Sequence, residues 1–287
     1  MYDNARAHRV LTAMGAIDVG MDILDGAELT LDHLAGEWRI YQLKRGHRFS
    51  TDDLATSWRA SLQRPRATKL LDLGCGIGSV GLTNLWRMQD PAATLVGVEA
   101  QDISVAVARK TIAHNQLEAR VTLVPGDLRD PDVLPAGSTF DLVTGSPPYI
   151  PPGMGVLSPH SQRAYARHEL RGSVFDYCAA ARRFMAPGSR FAYVMPAADP
   201  RTDAAPGANG LVVVERWEFV FREKGPFHVA VVVCAREEDG PFEPRVTGEL
   251  VIRDVAGEWT PAYLEFRKQM GMPMGSPDKP PGGSRRA

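Results

Sequence analysis

Short apolar runs alternate along this chain with stretches in which apolar residues recur every three or four positions. The runs KLLDL (69–73), TLVGVE (94–99), VTLVP (121–125), FDLVTG (140–145) and RFAYVM (190–195) are nearly continuous in hydrophobicity. That is the mark of strands buried on both faces. Between them the period is helical. In SVFDYCAAARRFMAPG, residues Val174, Tyr177, Cys178, Ala181, Phe184 and Met185 share one face, Ser173 stands at the N-cap position, and Pro187-Gly188 is expected to end the helix. Two more runs, VVVERWEFVF (212–221) and HVAVVVCAR (228–236), follow with only turn material between them. This order predicts an α/β, Rossmann-like fold with a seven-stranded, mostly parallel sheet, a reversed C-terminal strand and helices on both faces. Upstream, ELTLDHLAGEWRIYQ predicts a small hairpin leading into LKRGHRFSTDDLATSW.

Composition narrows the class without naming a function. At 44% hydrophobic and 23% charged residues the chain has ordinary globular composition. No apolar run approaches the ~20 residues a membrane helix needs, and the N-terminus carries no secretory pattern. Cys75, Cys178 and Cys234 lie far apart with no CxxC pairing, against zinc ribbons and disulfide frameworks and in keeping with a reducing, cytoplasmic setting. The formal net charge of −1 leaves room for nucleic-acid contact only through a local patch. Residues 1–27 read as an N-terminal extension without assigned structure, and the Gly- and Pro-rich 271–287 as a disordered tail.

Candidate chemistry begins at LLDLGCGIGSVGL. Gly74, Gly76 and Gly78 follow a buried strand and precede a helix, where glycines let a ligand approach the backbone. Gly76, Gly78 and Gly81 also satisfy GxGxxG, and Glu99 falls where a dinucleotide fold keeps its ribose-binding acid, so a nicotinamide oxidoreductase competes with a methyltransferase. Two features favour S-adenosylmethionine. Asp72 inside the strand end would repel a pyrophosphate but suits a ligand bearing an ammonium and a sulfonium. Asp127, just past the third strand, is suited to accept from an adenine amine, completing a file of acids with Asp72 and Glu99.

The fourth strand ends in Ser146-Pro147-Pro148-Tyr149. Two prolines stop the sheet and stiffen the chain. Beside a methyl donor, such a segment aims a backbone carbonyl at an attacking nitrogen, Ser146 adds a second acceptor, and Tyr149 stacks on a planar substrate. An exocyclic amine is a poor nucleophile, and acceptors that bind its hydrogens as it pyramidalises favour the transition state. No metal is required for this chemistry.

DxGxGxG, a following acid, GD and SPPY together resemble the amino-methyltransferases that act on adenine, cytosine or glutamine amides. The chain is most similar to the bacterial tRNA adenine-N(6) methyltransferases that modify the base next to the anticodon of a valine tRNA. The resemblance spans roughly residues 28–265 and includes SPHSQRAYARHEL and LVIRDVAGEWTPAY. It implies a class I S-adenosylmethionine-dependent methyltransferase domain over 28–265, with 28–60 closing over the cofactor. It implies cofactor contacts at Phe49, Thr51, Asp52, Asp72, Gly74, Gly76, Glu99, Asp127 and Leu128, a catalytic segment Ser146, Pro147, Pro148 and Tyr149, and tRNA or another structured RNA as substrate.

Three departures stand out. Ser146 occupies the place of the family's usual Asn, which shortens the side chain and matches the form seen in cytosine-N(4) enzymes. AADPRTDAAPGANG is too short and too rich in Pro and Gly for a full helix, and the overall charge is low for a tRNA-binding protein. Alternatives are therefore cytosine-N(4) methylation, methylation of a protein glutamine amide, and a weakly catalytic cofactor-binding module. Arg163, Arg167 and Arg171, spaced by four, predict one helical stripe able to meet substrate phosphates. A solvated charged face is the competing reading. His168 reads as a structural hydrogen-bonder, and Trp58, Trp86 and Trp217 as packing residues.

Overall fold

The computed structural model describes residues 21–88, 90–225 and 228–274. A 3-10 turn (Met21–Leu24) leads into the hairpin β1 (Leu29–Ala35) and β2 (Trp38–Leu43). Helix α1 (Thr51–Gln63) follows, then the alternation β3 (Lys69–Leu73), α2 (Ser79–Met88), β4 (Thr94–Glu99), α3 (Asp102–His114), β5 (Val121–Pro125) and β6 (Phe140–Gly145). After the SPPY segment come α4 (Ser161–Arg167), α5 (Val174–Phe184), β7 (Met185–Pro196), α6 (Arg201–Gly207), β8 (Leu211–Val220) and β9 (His228–Arg236). The described chain closes with β10 (Val246–Val251) and α7 (Pro261–Gln269).

The main sheet has the order β10-β8-β9-β7-β6-β3-β4-β5, and only β9 runs antiparallel to its neighbours. The parallel, helix-covered architecture is the one the apolar runs predict. The sheet has eight strands rather than seven, because β10 pairs in parallel with β8 at the edge. Its sequence, VTGELV, has a Gly and two polar residues in six positions and gives no buried-strand signal.

Apolar clusters cover both faces. On one side α5 packs Val174, Tyr177, Ala181 and Phe184 against β6 and β7. On the other, Leu82 and Leu85 of α2 and Val107 and Ile112 of α3 pack with Leu34 and Ile40 of the hairpin. A third cluster joins α1, β8–β10 and α7 around Trp58, which meets Trp217, Phe219 and Phe266 edge-on and donates its indole N–H to Gln269 at 2.8 Å. The packing role expected of Trp58 and Trp217 is thus observed.

The helix end and the tail depart from expectation, and the stretch after β7 follows it. Helix α5 is capped by Ser173 with a reciprocal bond to Asp176, but it stops at Phe184, and Pro187-Gly188 lies inside β7. The Pro- and Gly-rich stretch after β7 forms the seven-residue α6, with Pro206 inside it, so the full helix is indeed missing. Of the predicted tail, Gly271 accepts from the Gly36 N–H at 2.9 Å and Met272 packs on the third cluster, so the ordered body runs past 270. Residues 275–287 of that tail, and residues 1–20 of the 1–27 extension, lie outside the described residues. Among the described residues no helix is long and apolar enough to cross a membrane.

Candidate active site

Strand β3 has β4 on one side and β6 on the other, so the order of strands reverses there. Crevices at the carboxyl ends of strands around such a point are where open α/β sheets bind ligands. A cavity opens at this position, walled by the glycine loop, the SPPY segment with the start of α1, and a roof made by α4.

The glycine-loop wall is fixed by backbone bonds. Asp72 is buried; its Oδ2 accepts from the Gly81 N–H at 2.9 Å and its Oδ1 from the Thr144 hydroxyl at 2.8 Å. Glu99, also buried, accepts from the Gly76 N–H at 2.8 Å and the Gln101 N–H at 2.7 Å. Gly74 has φ +60°, and a Cβ there would overlap the Tyr177 hydroxyl. Gly76 has φ +56° and its Cβ direction is open space, a cradle at the cavity floor. Gly78 does not line the cavity; its N–H closes a turn onto the Cys75 carbonyl at 2.8 Å. Asp127 and Leu128 line the far end, where Asp127 is paired with Arg129 at 2.6 Å.

The second wall is built from side chains. Ser50 caps α1 in a reciprocal box with Asp53, which leaves Asp52 and Asp53 together at the helix start. The Tyr149 hydroxyl donates to Asp52 Oδ2 at 3.1 Å. The Ser146 hydroxyl donates to Asp53 Oδ1 at 3.5 Å, and the Ser79 hydroxyl to Asp53 Oδ2 at 3.2 Å. Successive residues at a helix start thus reach the two ends of one four-residue motif. Asp53 was not singled out in the sequence, although S-x-x-D at a helix start is a readable capping box. Ser146 and Pro148 line the cavity with Phe49; Thr51, Asp52, Pro147 and Tyr149 are not on that lining. Thr51 meets the Tyr263 hydroxyl at 3.5 Å instead.

Burial acts on all these acids. Loss of hydration pushes Asp72 up to about 7. It pushes Asp53 up to about 6, and with the Asp53 charge beside it Asp52 up to about 6 as well. Glu99 is raised by burial, against the backbone N–H groups that lower it. Burial and Asp52 hold the Tyr149 phenol well above its ordinary range, so it stays a donor.

The roof carries residues that no motif announced. Gln162 Oε1 accepts from the His47 N–H at 2.5 Å, and the Arg163 guanidinium donates to the Gly46 carbonyl at 2.9 and 3.3 Å. Tyr165 and Arg171 complete the lining. The expected arginine stripe is not formed: α4 ends at Arg167, the chain turns into a bridge pairing Ile150 with His168, and Arg171 lies beyond it. Arg163 is turned onto the Gly46 carbonyl, Arg171 onto the Ala100 carbonyl at 2.6 Å, and Arg167 is exposed. His168 is not a hydrogen-bonder either. It is 3% exposed, and neither ring nitrogen has a partner among the described residues.

Four carboxylates, Asp53, Asp72, Glu99 and Asp127, share the lining with the Arg171 guanidinium, and Arg129 pairs with Asp127 from outside it. An anionic pyrophosphate would meet net repulsion here, whereas an ammonium, a sulfonium and ribose hydroxyls find acceptors. The open Gly76 cradle gives such a ligand room against the backbone. The residues therefore fit S-adenosylmethionine.

Comparison with known proteins agrees. Residues 49–170 match the family model described as "Methyltransferase small domain". The fold resembles that of a predicted O-methyltransferase from Agrobacterium tumefaciens, at TM-score 0.53 and 15% identity over 77% of this chain and 97% of that one. The chain is a class I S-adenosylmethionine-dependent methyltransferase, and the nicotinamide reading is set aside. In sequence it is 26% identical over 237 residues to the tRNA1(Val) (adenine(37)-N6)-methyltransferase of Shewanella sp. (strain W3-18-1), covering 80% of this chain and 94% of that one. It is also 41% identical to the release factor glutamine methyltransferase of Caulobacter vibrioides, but only over 86 residues, 30% of this chain and 28% of that one. The resemblance read from the motifs is thus borne out along most of the chain.

Proposed function

We propose that this chain transfers a methyl group to the exocyclic amine of an adenine in tRNA. The observation that carries the reading is the Ser146-Pro147-Pro148-Tyr149 segment at the edge of an acid-lined donor cavity, with both ends held by α1. S-adenosylmethionine, when bound, supplies an electrophilic methyl carbon. Asp53, Asp72 and Glu99 balance its positive charge and accept from its donors, with Phe49, Gly74, Gly76, Asp127 and Leu128 around them. Residues 28–60 act as the segment that closes over it.

The acceptor side does three things. Ser146 donates its hydroxyl proton to Asp53, which turns the oxygen lone pairs towards the cavity. With a backbone carbonyl of Pro147-Pro148, that oxygen accepts the hydrogens of the incoming amine and aligns its lone pair for in-line attack. Tyr149, oriented by Asp52, stacks on the base. Extent of similarity supports the substrate: the tRNA enzyme from Shewanella matches over 80% of this chain and 94% of its own, the glutamine enzyme over 30% and 28%.

The test is methyl-labelled S-adenosylmethionine with total tRNA from cells lacking this gene, and a protein extract in parallel. Label in N(6)-methyladenosine is the expected result. Label in a cytidine, or in protein alone, would overturn the substrate while leaving the chemistry.

A further inference from the structure

The arginines after SPPY are candidates for RNA phosphates or for a solvated face, yet Arg171 and its neighbour Tyr165 lie on the donor cavity. We propose that Tyr165 and Arg171 are donor-binding residues that close the end of the cavity bounded by Glu99 and Asp127. This rests on reading that cavity as the methyl-donor site.

Three observations support it. First, the two side chains form one unit: the Arg171 guanidinium carbon sits 4.5 Å from the centre of the Tyr165 ring. Second, the unit is tied to the donor side of the fold. Arg171 Nη1 donates at 2.6 Å to the carbonyl of Ala100, the residue after Glu99. Third, the support beneath it is fixed. Helix α4 is bolted to the Gly46–His47 turn through Gln162 and Arg163, so Tyr165 is held over the cavity rather than left hanging from a loop.

The chemistry suits a nucleoside. A ring stacked on a guanidinium is a flat cover for a sugar and a purine. At this end Arg129 pairs with Asp127 and holds it below its ordinary range, burial keeps Glu99 raised against its backbone N–H donors, and Arg171 adds a smaller favourable charge to both. Ionised carboxylates are acceptors only, and the lone pairs of Glu99 and Asp127 not taken by Gly76, Gln101 and Arg129 are left for ribose hydroxyls and an adenine amine. Asp53 and Asp72, at the other end, have no such cation facing them and are left for the ligand's own positive charges.

The test is isothermal titration of the wild-type chain, Arg171→Ala, Arg171→Lys and Tyr165→Ala with S-adenosylmethionine and with S-adenosylhomocysteine. Melting curves on each variant check folding; Arg171 is exposed, so its variants probe the site and not the core. The expected result is a dissociation constant raised about 10- to 100-fold in both alanine variants, by the same factor for the two ligands, because both carry the adenosyl group. Arg171→Lys keeps the charge and recovers part of the loss. Unchanged donor binding in Arg171→Ala, with weaker tRNA binding and a shallower salt dependence, would overturn the proposal and return Arg171 to the phosphates. Loss confined to S-adenosylmethionine would overturn it too, by moving the residue to the sulfonium end. A wild-type chain that binds donor but labels no tRNA would overturn the proposed function and leave this inference standing.

Discussion

The two walls of the cavity hold their acids by different means. On the glycine-loop wall, Asp72 and Glu99 accept mainly from backbone N–H groups, those of Gly81, Gly76 and Gln101 at 2.7 to 2.9 Å, with the Thr144 hydroxyl beside them. On the SPPY wall, Asp52 and Asp53 accept mainly from hydroxyls, those of Tyr149, Ser146 and Ser79 at 3.1 to 3.5 Å, with the Ser50 N–H beside them. Backbone donors are fixed by the fold, while hydroxyls turn about their bonds. The first wall is a mould that exists before any ligand arrives. The second is adjustable, and its bonds can tighten as a substrate enters.

Substitutions at two glycines test the mould most severely. Gly74→Ala would force a Cβ into the Tyr177 hydroxyl at a positive φ, and should lower the melting temperature by roughly 5–15 °C. Tyr177→Phe in the same chain should restore part of that loss. Gly76→Ala meets no protein atom, so it should melt within a few degrees of wild type, at about 1–2 kcal/mol of backbone cost. Its methyl group projects into the donor's space, however, and calorimetry should read affinity reduced by about 100-fold. Normal donor binding in Gly76→Ala would mean the cavity is not the donor site.

Ser146→Ala probes the adjustable wall. It removes one acceptor and leaves Asp53 with the Ser79 hydroxyl but not that of Ser146, so kcat should fall about 5- to 150-fold, equivalent to ~1–3 kcal/mol. Donor affinity should hold, because the mould is untouched. A kcat equal to wild type would remove Ser146 from the mechanism.

A smaller effect follows from pH. Asp52, Asp53 and Asp72 bind protons more tightly folded than unfolded, being raised to about 6, 6 and 7. Below about pH 4 these carboxyls are protonated in both states and carry no penalty; as pH rises through 6 to 7 the folded chain must hold them ionised, and stability falls. A cationic donor prefers the ionised form. The ligand-free protein should therefore melt at lower temperature at pH 7.5 than at pH 5.5, while donor affinity rises severalfold over the same interval. Asp72→Asn should flatten both trends, and a donor affinity independent of pH would break the link between these acids and the ligand.

The same contrast explains what could be read from the chain. The mould was legible because it is local: a buried strand, three glycines and an acid within a few residues specify their own geometry. The SPPY wall was half legible. Its motif is contiguous, but its partners are 93 and 97 residues away, and of two adjacent acids only the helix phase decides which reaches Ser146. The roof was legible only as a segment: Arg163 and Arg171 stood out, but for phosphates or solvent and on one helix. Gln162 meets the His47 backbone across 115 residues, and the spacing of Arg163, Arg167 and Arg171 suggested a helix that in fact ends at Arg167. Periodicity reports a face that stays helical, and it is silent where the chain turns.

Strand β10 has a consequence for solubility. Without it, β8 would be the outer strand, and the six positions that β10 covers, Glu215 to Val220 with Trp217 and Phe219 among them, would join the open edge. An uncovered edge of that length and hydrophobicity is a template for pairing between molecules. In β10, Gly248 lies against the Trp217 ring with no room for a side chain, and Leu250 sits beside Phe219, while Val246, Thr247 and Glu249 are exposed. The last strand is a selvedge: it stops the sheet from growing, and a chain cut before residue 246 would be expected to self-associate.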